Sequence, residues 1–274
     1  MSTTIIHIPS GSKLTWFQPV LAHWFDLMDR YCQIAGRNLG SSMDAHPNEW
    51  NGYDCPWWYN ERANVGMLAG AAHLAGFTAL EEFNEEKSEK ASNLDSWKGR
   101  VDLAVWPKKG KAFGFEAKFG WLHLDDLNSN ENSTLEKLHK ESTEGATDLM
   151  NDYAGLFGLG FAAICSKKEY ANGRTIDLTD LSQQKRLQSA EAYAIYSPRI
   201  PEWTPPEWND GKSRLHCHHG VLLAIWAAGK CEGDLRELAQ SAVSADPSFS
   251  QAIQDCSESY ERIISSASTR QRQR

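Results

Sequence analysis

Two strictly alternating segments separated by a turn sequence most constrain the fold of this 274-residue chain. Residues 100–106 read RVDLAVW and residues 111–119 read KAFGFEAKF, with apolar side chains at every second position. Alternation of this kind is typical of a β-strand with one buried face. The Pro-Lys-Lys-Gly between the segments is a turn sequence. Residues 100–119 therefore predict an antiparallel hairpin.

The polar faces of these strands carry carboxylates and a lysine. Glu116 and Lys118 are two residues apart, so they point to the same face, opposite the apolar side chains of their strand. Asp102 likewise points away from the apolar residues of its own strand. A hairpin centred near Lys109 would place Asp102 across from Glu116 or one residue off. Two carboxylates and an ammonium group are therefore expected to converge on one patch.

Such a patch suits a hard divalent cation. Two carboxylates that face each other across a strand pair repel, and a cation between them reverses the sign of the interaction. Mg²⁺ prefers oxygen ligands, so Asp102, Glu116 and the carbonyl of Ala117 are the predicted ligands, and Mn²⁺ should substitute. The bound ion would activate a water and a phosphoryl oxygen, while Lys118 orients the water or stabilises charge on the phosphate.

The spacing of these residues resembles that of a known family. Asp102, thirteen intervening residues and then Glu116-Ala117-Lys118 resemble the motif of the PD-(D/E)XK nuclease superfamily. In that family a hairpin supplies an acidic residue and then (Asp/Glu)-x-Lys, and a preceding helix often supplies a further Glu. Glu61 matches that last position, on the apolar face of a helix predicted over residues 57–76. One departure is Val101, which stands where the motif has proline.

The resemblance covers residues 57–166 and implies an α/β fold of restriction-endonuclease-like type, with a mixed β-sheet flanked by helices. It implies a metal-dependent nuclease that hydrolyses nucleic-acid phosphodiester bonds, DNA in preference to RNA, in a setting such as restriction or phage defence. Asp102, Glu116, Lys118 and Glu61 would be the catalytic residues. Without internal repeats or long linkers, residues 1–274 are expected to form a single domain, with an N-terminal helix and a C-terminal elaboration over residues 172–266.

The remaining segments predict further elements of an α/β protein. Helices are expected over residues 14–37, 57–76, 131–153, 180–189, 235–245 and 250–266. Strands are expected over residues 78–86, 156–166 and 192–197. Residues 200–212 contain three prolines and predict a loop. Residues 219–227 fit either a strand or a buried helix.

Composition limits the partners of the chain. A formal net charge of −8 argues against a protein coated in basic residues, although a local basic strip is enough for nucleic acid. Lys108, Lys109 and Lys111 at the hairpin turn are the predicted contacts to a phosphate backbone, or else a solvated turn. Neither a secretory signal nor an apolar stretch of the roughly 20 residues a membrane helix needs is recognised. Six scattered cysteines without a CxxC pair suit reduced thiols in a cytoplasmic protein.

Simpler interpretations exist for the same residues. The patch with Asp102, Glu116 and Lys118 would otherwise be a solvated sheet face with a cross-strand ion pair. Glu61 would otherwise be a first-turn acid favoured by the helix dipole. Three acids rival Glu61 for the supporting role: Glu81, Glu82 and Glu86.

Two further groups leave alternatives open. The run His216-Cys217-His218-His219 is either a zinc site or a set of ordinary polar residues at the start of a strand. Three tryptophans near the proposed site either stack on bases or pack in the core: Trp57, Trp58 and Trp121. At the level of the whole chain, the rival to a nuclease is a non-catalytic binding or assembly subunit of a larger complex. A homo-oligomer is also compatible with the sequence.

Overall fold

A computed structural model describes eleven segments of the chain, all within one compact unit, Met1–Gly233. These segments are residues 3–35, 55–58, 60–87, 97–107, 110–124, 127, 133–149, 153–167, 179–198, 207–209 and 215–228. The helices predicted over residues 235–245 and 250–266 lie outside the described residues. A single domain over the whole chain therefore stays a prediction.

The described residues form one mixed sheet of eight strands. The strands are β1 Thr3–His7, β2 Thr78–Lys87, β3 Trp97–Trp106, β4 Phe113–His123, β5 Gly155–Lys167, β6 Ala192–Ser197, β7 Glu207–Asn209 and β8 Leu215–Ala227. Their order is β1-β6-β8-β5-β4-β3-β2, and β7 pairs with β8 outside this path. The β4–β5 pair is parallel and every other described pair is antiparallel. The predicted hairpin, formed by β3 and β4, is confirmed.

Five α-helices accompany the sheet within the described segments. They are α1 Gln18–Arg30, α2 Glu61–Leu74, α3 Ser133–Thr147, α4 Thr179–Ser182 and α5 Lys185–Gln188. A 3-10 turn, Thr15–Phe17, leads into α1, and a π-helical turn, Tyr31–Ala35, follows it. The side chain of Asn60 caps α2 by accepting a hydrogen bond from the Ala63 N–H at 3.3 Å. The predicted α/β class, a mixed sheet flanked by helices, is therefore confirmed.

Helices cover both faces of the sheet. On one face, α1 packs against α2. There Phe17 contacts Phe115 with ring centroids 5.7 Å apart, and Phe25 stacks on Tyr196. On the other face, α3 packs on β4 and β5. Its buried leucines join an apolar cluster that includes Ile195 and Trp226. Burial of apolar surface on both faces is the main force holding the three layers together.

Glycines allow α3 to lie very close to the sheet. Gly158 on β5 stands beside Glu116 in the β4–β5 register, and a Cβ at Gly158 would lie 2.7 Å from the backbone nitrogen of Thr143. A Cβ at Gly145 of α3 would lie 2.7 Å from Cγ of Glu116. The polar face of β4 is therefore covered by α3 at Glu116, which keeps only 9% of its surface exposed. Glu116 thus does not lie on a solvated outer face, whereas Asp102 and Lys118 stay partly exposed.

Several predicted element boundaries are wrong. The helix expected over residues 131–153 ends at Thr147, because the N–H groups of Asp148 and Leu149 bond three residues back and tighten the last turn. The single helix expected over residues 180–189 is divided into α4 and α5 by Gln184, whose backbone is extended.

Strands also occur where none was predicted, and one ambiguity is resolved. The loop expected over residues 200–212 contains β7, which pairs with β8, and the polar N-terminus supplies β1, which pairs with β6. Short strands of this kind form through backbone pairing to a neighbour, which leaves no periodic pattern in the sequence. Residues 219–227, compatible with helix or strand, lie within β8.

Candidate active site

The two strands of the hairpin separate at the level of the predicted acidic residues. β3 and β4 pair only from Val105↔Phe113 to Leu103↔Phe115. Beyond that point β3 continues along β2 to Trp97, and β4 continues along β5 to His123. This separation is called the fork. Beyond the fork, β3 and β4 no longer form backbone hydrogen bonds with each other, and a side chain supplies one of the missing partners.

Asp102 lies at the mouth of the fork. Its Oδ2 accepts a hydrogen bond from the backbone N–H of Ala117 at 2.8 Å. Because Ala104 pairs with Gly114, the alternation of side chains places Asp102 and Glu116 on the same face of the sheet. The carboxylate of Asp102 thus supports the strand that carries Glu116.

Lys118 binds two oxygens of its own strand. Its Nζ lies 3.0 Å from Oε1 of Glu116 and donates to the carbonyl oxygen of Ala117 at 2.6 Å. Burial by itself lowers the pKa of Lys118, but the carboxylates of Glu116, Glu61 and Asp102 together outweigh it, and the net pKa is raised above the ordinary value. The ammonium is therefore held in its charged form. The ion pair runs along one strand and not across two.

Glu61 is the first residue of α2 and is half-buried. Burial raises its pKa to about 7; the positive charge of Lys118 lowers this pKa, whereas Asp102 and Glu116 raise it. A helix N-terminus favours a charged carboxylate, so the dipole opposes the observed direction. The charges acting on Glu61 are those of the fork, and the structure therefore brings Glu61, Asp102, Glu116 and Lys118 into one electrostatic cluster.

Glu82, a rival of Glu61 in the sequence, takes a different role. Its carboxylate binds Nε of Arg62 at 2.6 Å and Nη1 of Arg100 at 3.2 Å. It also raises the pKa of Glu61, although it is the smallest of the causes. Glu81 is exposed and borders α2 at Gly66. The side chain of Glu86 lies outside the described part of the chain.

The sequence did not single out Arg62 or Arg100. Arg62 follows Glu61 directly, and Arg100 shares a strand face with Asp102 two residues later. That same-face spacing was the available signal. The predicted phosphate contacts were instead the lysines of the turn.

Of the three turn lysines only Lys111 is described, and it does not join the cluster. Lys111 is exposed and lies five residues before Glu116, on the order of 16 Å away along an extended strand. Lys108 and Lys109 lie outside the described residues. Their predicted contact with a phosphate backbone stays a prediction.

The tryptophans near the site divide between core and surface. Trp57 is fully buried, 5.6 Å edge-on from Tyr196, and therefore packs in the core. Trp121 is 39% exposed and contacts Phe119 edge-on. The side chain of Trp58 lies outside the description.

A second group of polar side chains gathers where β5 and β8 shift register, between Ile164 and Cys165. This irregularity is called the bulge. Cys165 Sγ lies 3.3 Å from Nδ1 of His123, and Ser166 Oγ lies 2.7 Å from Nε2 of His219. Cys165 and Ser166 are both buried.

The zinc alternative concerns this same region. Among the residues whose side chains are described, no group of three His, Cys, Asp or Glu side chains has the arrangement of a metal site. The side chains of His216, Cys217 and His218 lie outside that set, so the alternative stays a prediction.

No protein-family model, no curated protein and no solved structure matches this chain. Within the described segments, none of the helices has the length and apolar character needed to cross a membrane.

The donor set of the fork fits a hard cation. Glu116 Oε1 and the Ala117 carbonyl oxygen already converge on one positive centre, the ammonium of Lys118. Both are oxygen ligands of the kind that Mg²⁺ accepts. Three carboxylates, those of Glu61, Asp102 and Glu116, act on the single lysine at this point and raise its pKa. The surplus negative charge would be relieved by a divalent ion.

Proposed function

We propose that this protein is a metal-dependent nuclease that hydrolyses phosphodiester bonds of nucleic acid, DNA in preference to RNA. The observation that carries the proposal is the meeting of Glu61, Asp102 and Glu116 around Lys118 at a fork between two strands. A purely structural role would be met at lower cost by fewer charges, because like charges brought together under partial burial repel strongly.

Each residue has a distinct role in this proposal. Glu116 and the Ala117 carbonyl would hold Mg²⁺ or Mn²⁺, with Asp102 as the second carboxylate. When bound, the ion would polarise a phosphoryl oxygen and lower the pKa of a bound water. In the structure, the Glu116 and Glu61 carboxylates raise the pKa of Lys118 and keep its ammonium charged. Its ammonium would then orient the attacking water or stabilise charge on the phosphate.

Glu61 would complete the acidic pocket. With a pKa of about 7 it exchanges its proton near neutral pH. In that range it supports a bound cation when ionised and relieves repulsion when protonated. The restriction-endonuclease-like fold and a setting in restriction or phage defence belong to the same proposal, and both rest on the sequence resemblance.

The proposal is tested by incubating plasmid, linear duplex and single-stranded DNA, and an RNA of matched sequence, with Mg²⁺, Mn²⁺ or EDTA. Wild-type protein should cleave at least one substrate with Mg²⁺ or Mn²⁺ and none with EDTA. Lys118→Ala should abolish the cleavage and Lys137→Ala, at an exposed position of α3, should leave it intact. Metal-independent cleavage, or cleavage that survives Lys118→Ala, would overturn the assignment.

One observation favours a second function, a non-catalytic binding or assembly subunit. Lys118 already satisfies Glu116 and the Ala117 carbonyl without any other cation. A folded protein that retains a partner or binds nucleic acid but cleaves none of the substrates above would support this second function.

A further inference from the structure

The backbone of Glu82 is strained at a point beside the fork. Its φ is 51°, in the left-handed region that residues other than glycine rarely adopt. In the β2–β3 register the flanking pairs are Glu81↔Leu103 and Phe83↔Val101, which places Glu82 opposite Asp102. Such a conformation is destabilising and is concentrated at functional sites.

The side chain of Glu82 holds two arginines in place. It lies between Arg62 at 2.6 Å and Arg100 at 3.2 Å, and these arginine side chains are 62% and 49% exposed. Exposed ion pairs contribute little to stability, so these three charges alone give a weak structural reason for the strained backbone. A binding role accounts for the arrangement better than a structural one.

The three residues border the candidate active site on the β3 side. Arg62 is the neighbour of Glu61 on α2, and Arg100 shares a strand face with Asp102. A strand of nucleic acid that approached the fork would meet a strongly acidic centre in a protein of net charge −8. Cations at the rim would offset that repulsion.

Arginine supplies the chemistry that such a strand needs. Each guanidinium carries five N–H donors, and the Glu82 carboxylate alone cannot accept from all ten donors of the two arginines. Arg62, Glu82 and Arg100 together keep a net charge of +1, since two guanidinium groups face one carboxylate. The planar donor fork of arginine matches phosphate oxygens in a bidentate manner.

We propose that Arg62 and Arg100, which Glu82 pairs with in the free protein, bind the phosphodiester backbone of a nucleic-acid strand at the entrance of the fork. The proposal rests on the proposed function and deepens it by naming the residues that hold the substrate. In free protein, Glu82 takes the place of the phosphate and keeps the two guanidinium groups near each other.

The test measures binding apart from cleavage. Labelled single-stranded and duplex DNA oligonucleotides are titrated with full-length protein in Ca²⁺ and in EDTA, and fluorescence anisotropy is followed at several salt concentrations. Arg62→Gln and Arg100→Gln should each weaken binding by about tenfold near 0.1 M salt and reduce the salt slope by about one. The matched control is Arg30→Gln, an exposed arginine at the end of α1, which should bind like wild type.

Glu82→Gln gives an effect of opposite sign. Removing the carboxylate frees both guanidinium groups, so this variant should bind DNA more tightly than wild type. Glu81→Gln removes the same charge from the exposed neighbouring residue and should change binding less. A folded Glu82→Gln protein that binds more weakly than wild type would overturn the proposal.

The outcomes separate this inference from the nuclease proposal. If wild-type protein cleaves DNA while both arginine variants bind and cleave as Arg30→Gln does, the arginine site is wrong and the nuclease stands. If binding depends on the arginines and no substrate is cleaved, the site stands and the nuclease is wrong. If wild-type protein neither binds nor cleaves, both are wrong.

Discussion

At the bulge, Ser166 and His219 lie 2.7 Å apart, and Cys165 lies 3.3 Å from His123, so a hydroxyl and a thiol each face an imidazole ring. At the fork, carboxylates outnumber the lysine among them, and the pKa of Glu61 is raised to about 7. Both regions interrupt the ladder of one sheet. The difference indicates that contacts between hydroxyl, thiol and imidazole groups are enough where a sheet ladder is interrupted. The carboxylates gathered around Lys118 at the fork therefore need a further explanation.

The largest effect is expected from a substitution that removes one carboxylate charge at the fork and keeps the shape of the side chain. Asp102→Asn retains a side-chain oxygen that can accept the Ala117 N–H bond, but the carboxylate charge is lost. We expect metal-dependent cleavage to fall by about 100-fold or more, with thermal stability retained. Cleavage rates and melting temperatures check this. Asp26→Asn, on the exposed side of α1, is the matched control.

The next largest effect is expected from a change in space without a change in charge. In Gly145→Ala, the added Cβ would lie 2.7 Å from Cγ of Glu116 and would push that carboxylate aside. We expect a loss of cleavage on the order of tenfold, together with overpacking that costs about 1–3 kcal/mol before the gain of about 1 kcal/mol from helix propensity.

Gly66→Ala in α2 is the control for this change, because its Cβ would meet only Glu81 at an ordinary 3.5 Å. It should be neutral or stabilising in urea unfolding, with cleavage intact. Equal behaviour of the two glycine variants would contradict the account of α3 as a wall against Glu116.

At the bulge the expectation reverses, and stability falls while function stays. Ser166→Ala removes the partner at 2.7 Å from His219 and takes one hydrogen bond from a half-buried imidazole, which costs about 0.5–1.5 kcal/mol. Cleavage should be unchanged under conditions where the protein is folded. Ser189→Ala, at an exposed position, is the control and should stay within about 0.5 kcal/mol of wild type in urea unfolding. Loss of cleavage in folded Ser166→Ala would end the distinction between the two regions.

The smallest effect concerns pH. The pKa of Glu61 is 4.5 in the reference state and about 7 in the folded protein, so the folded state keeps a proton that the unfolded state loses. This contribution to stability is fully present below pH 4.5 and is lost as pH rises through 7. In Glu61→Gln the decline should disappear. Urea unfolding at several pH values without divalent ions measures it, and identical profiles for the two proteins would contradict the pKa.

The sequence predicted the parts of the fold that depend on local alternation. The hairpin with Asp102 and Glu116 on one face follows from period two. The helix expected over residues 57–76 follows from apolar spacing, although it begins only at Glu61 and ends at Leu74. Strand β1 was not predicted, because its pairing partner, β6, lies nearly 190 residues away along the chain. Backbone pairing over such a separation imposes no local pattern.

The site shows the same division. The face shared by Asp102, Glu116 and Lys118 was predictable from alternation. The cover provided by α3 was not, because it depends on glycines of α3 and β5 meeting the sheet in three dimensions. The pairing of Glu82 with Arg62 and Arg100 was not predictable for a related reason. It depends on a left-handed backbone at Glu82, which no hydrophobic pattern in the sequence indicates.

The hydrogen bond from the Ala117 amide to Asp102 gives the protein a built-in spectroscopic reporter. A cation that bound the same carboxylate oxygen would compete with the amide proton, and the resonance of the Ala117 amide would then shift before any substrate is turned over. The same bond joins the two strands across the gap. A titration followed at this amide would therefore report ion binding and strand spacing together.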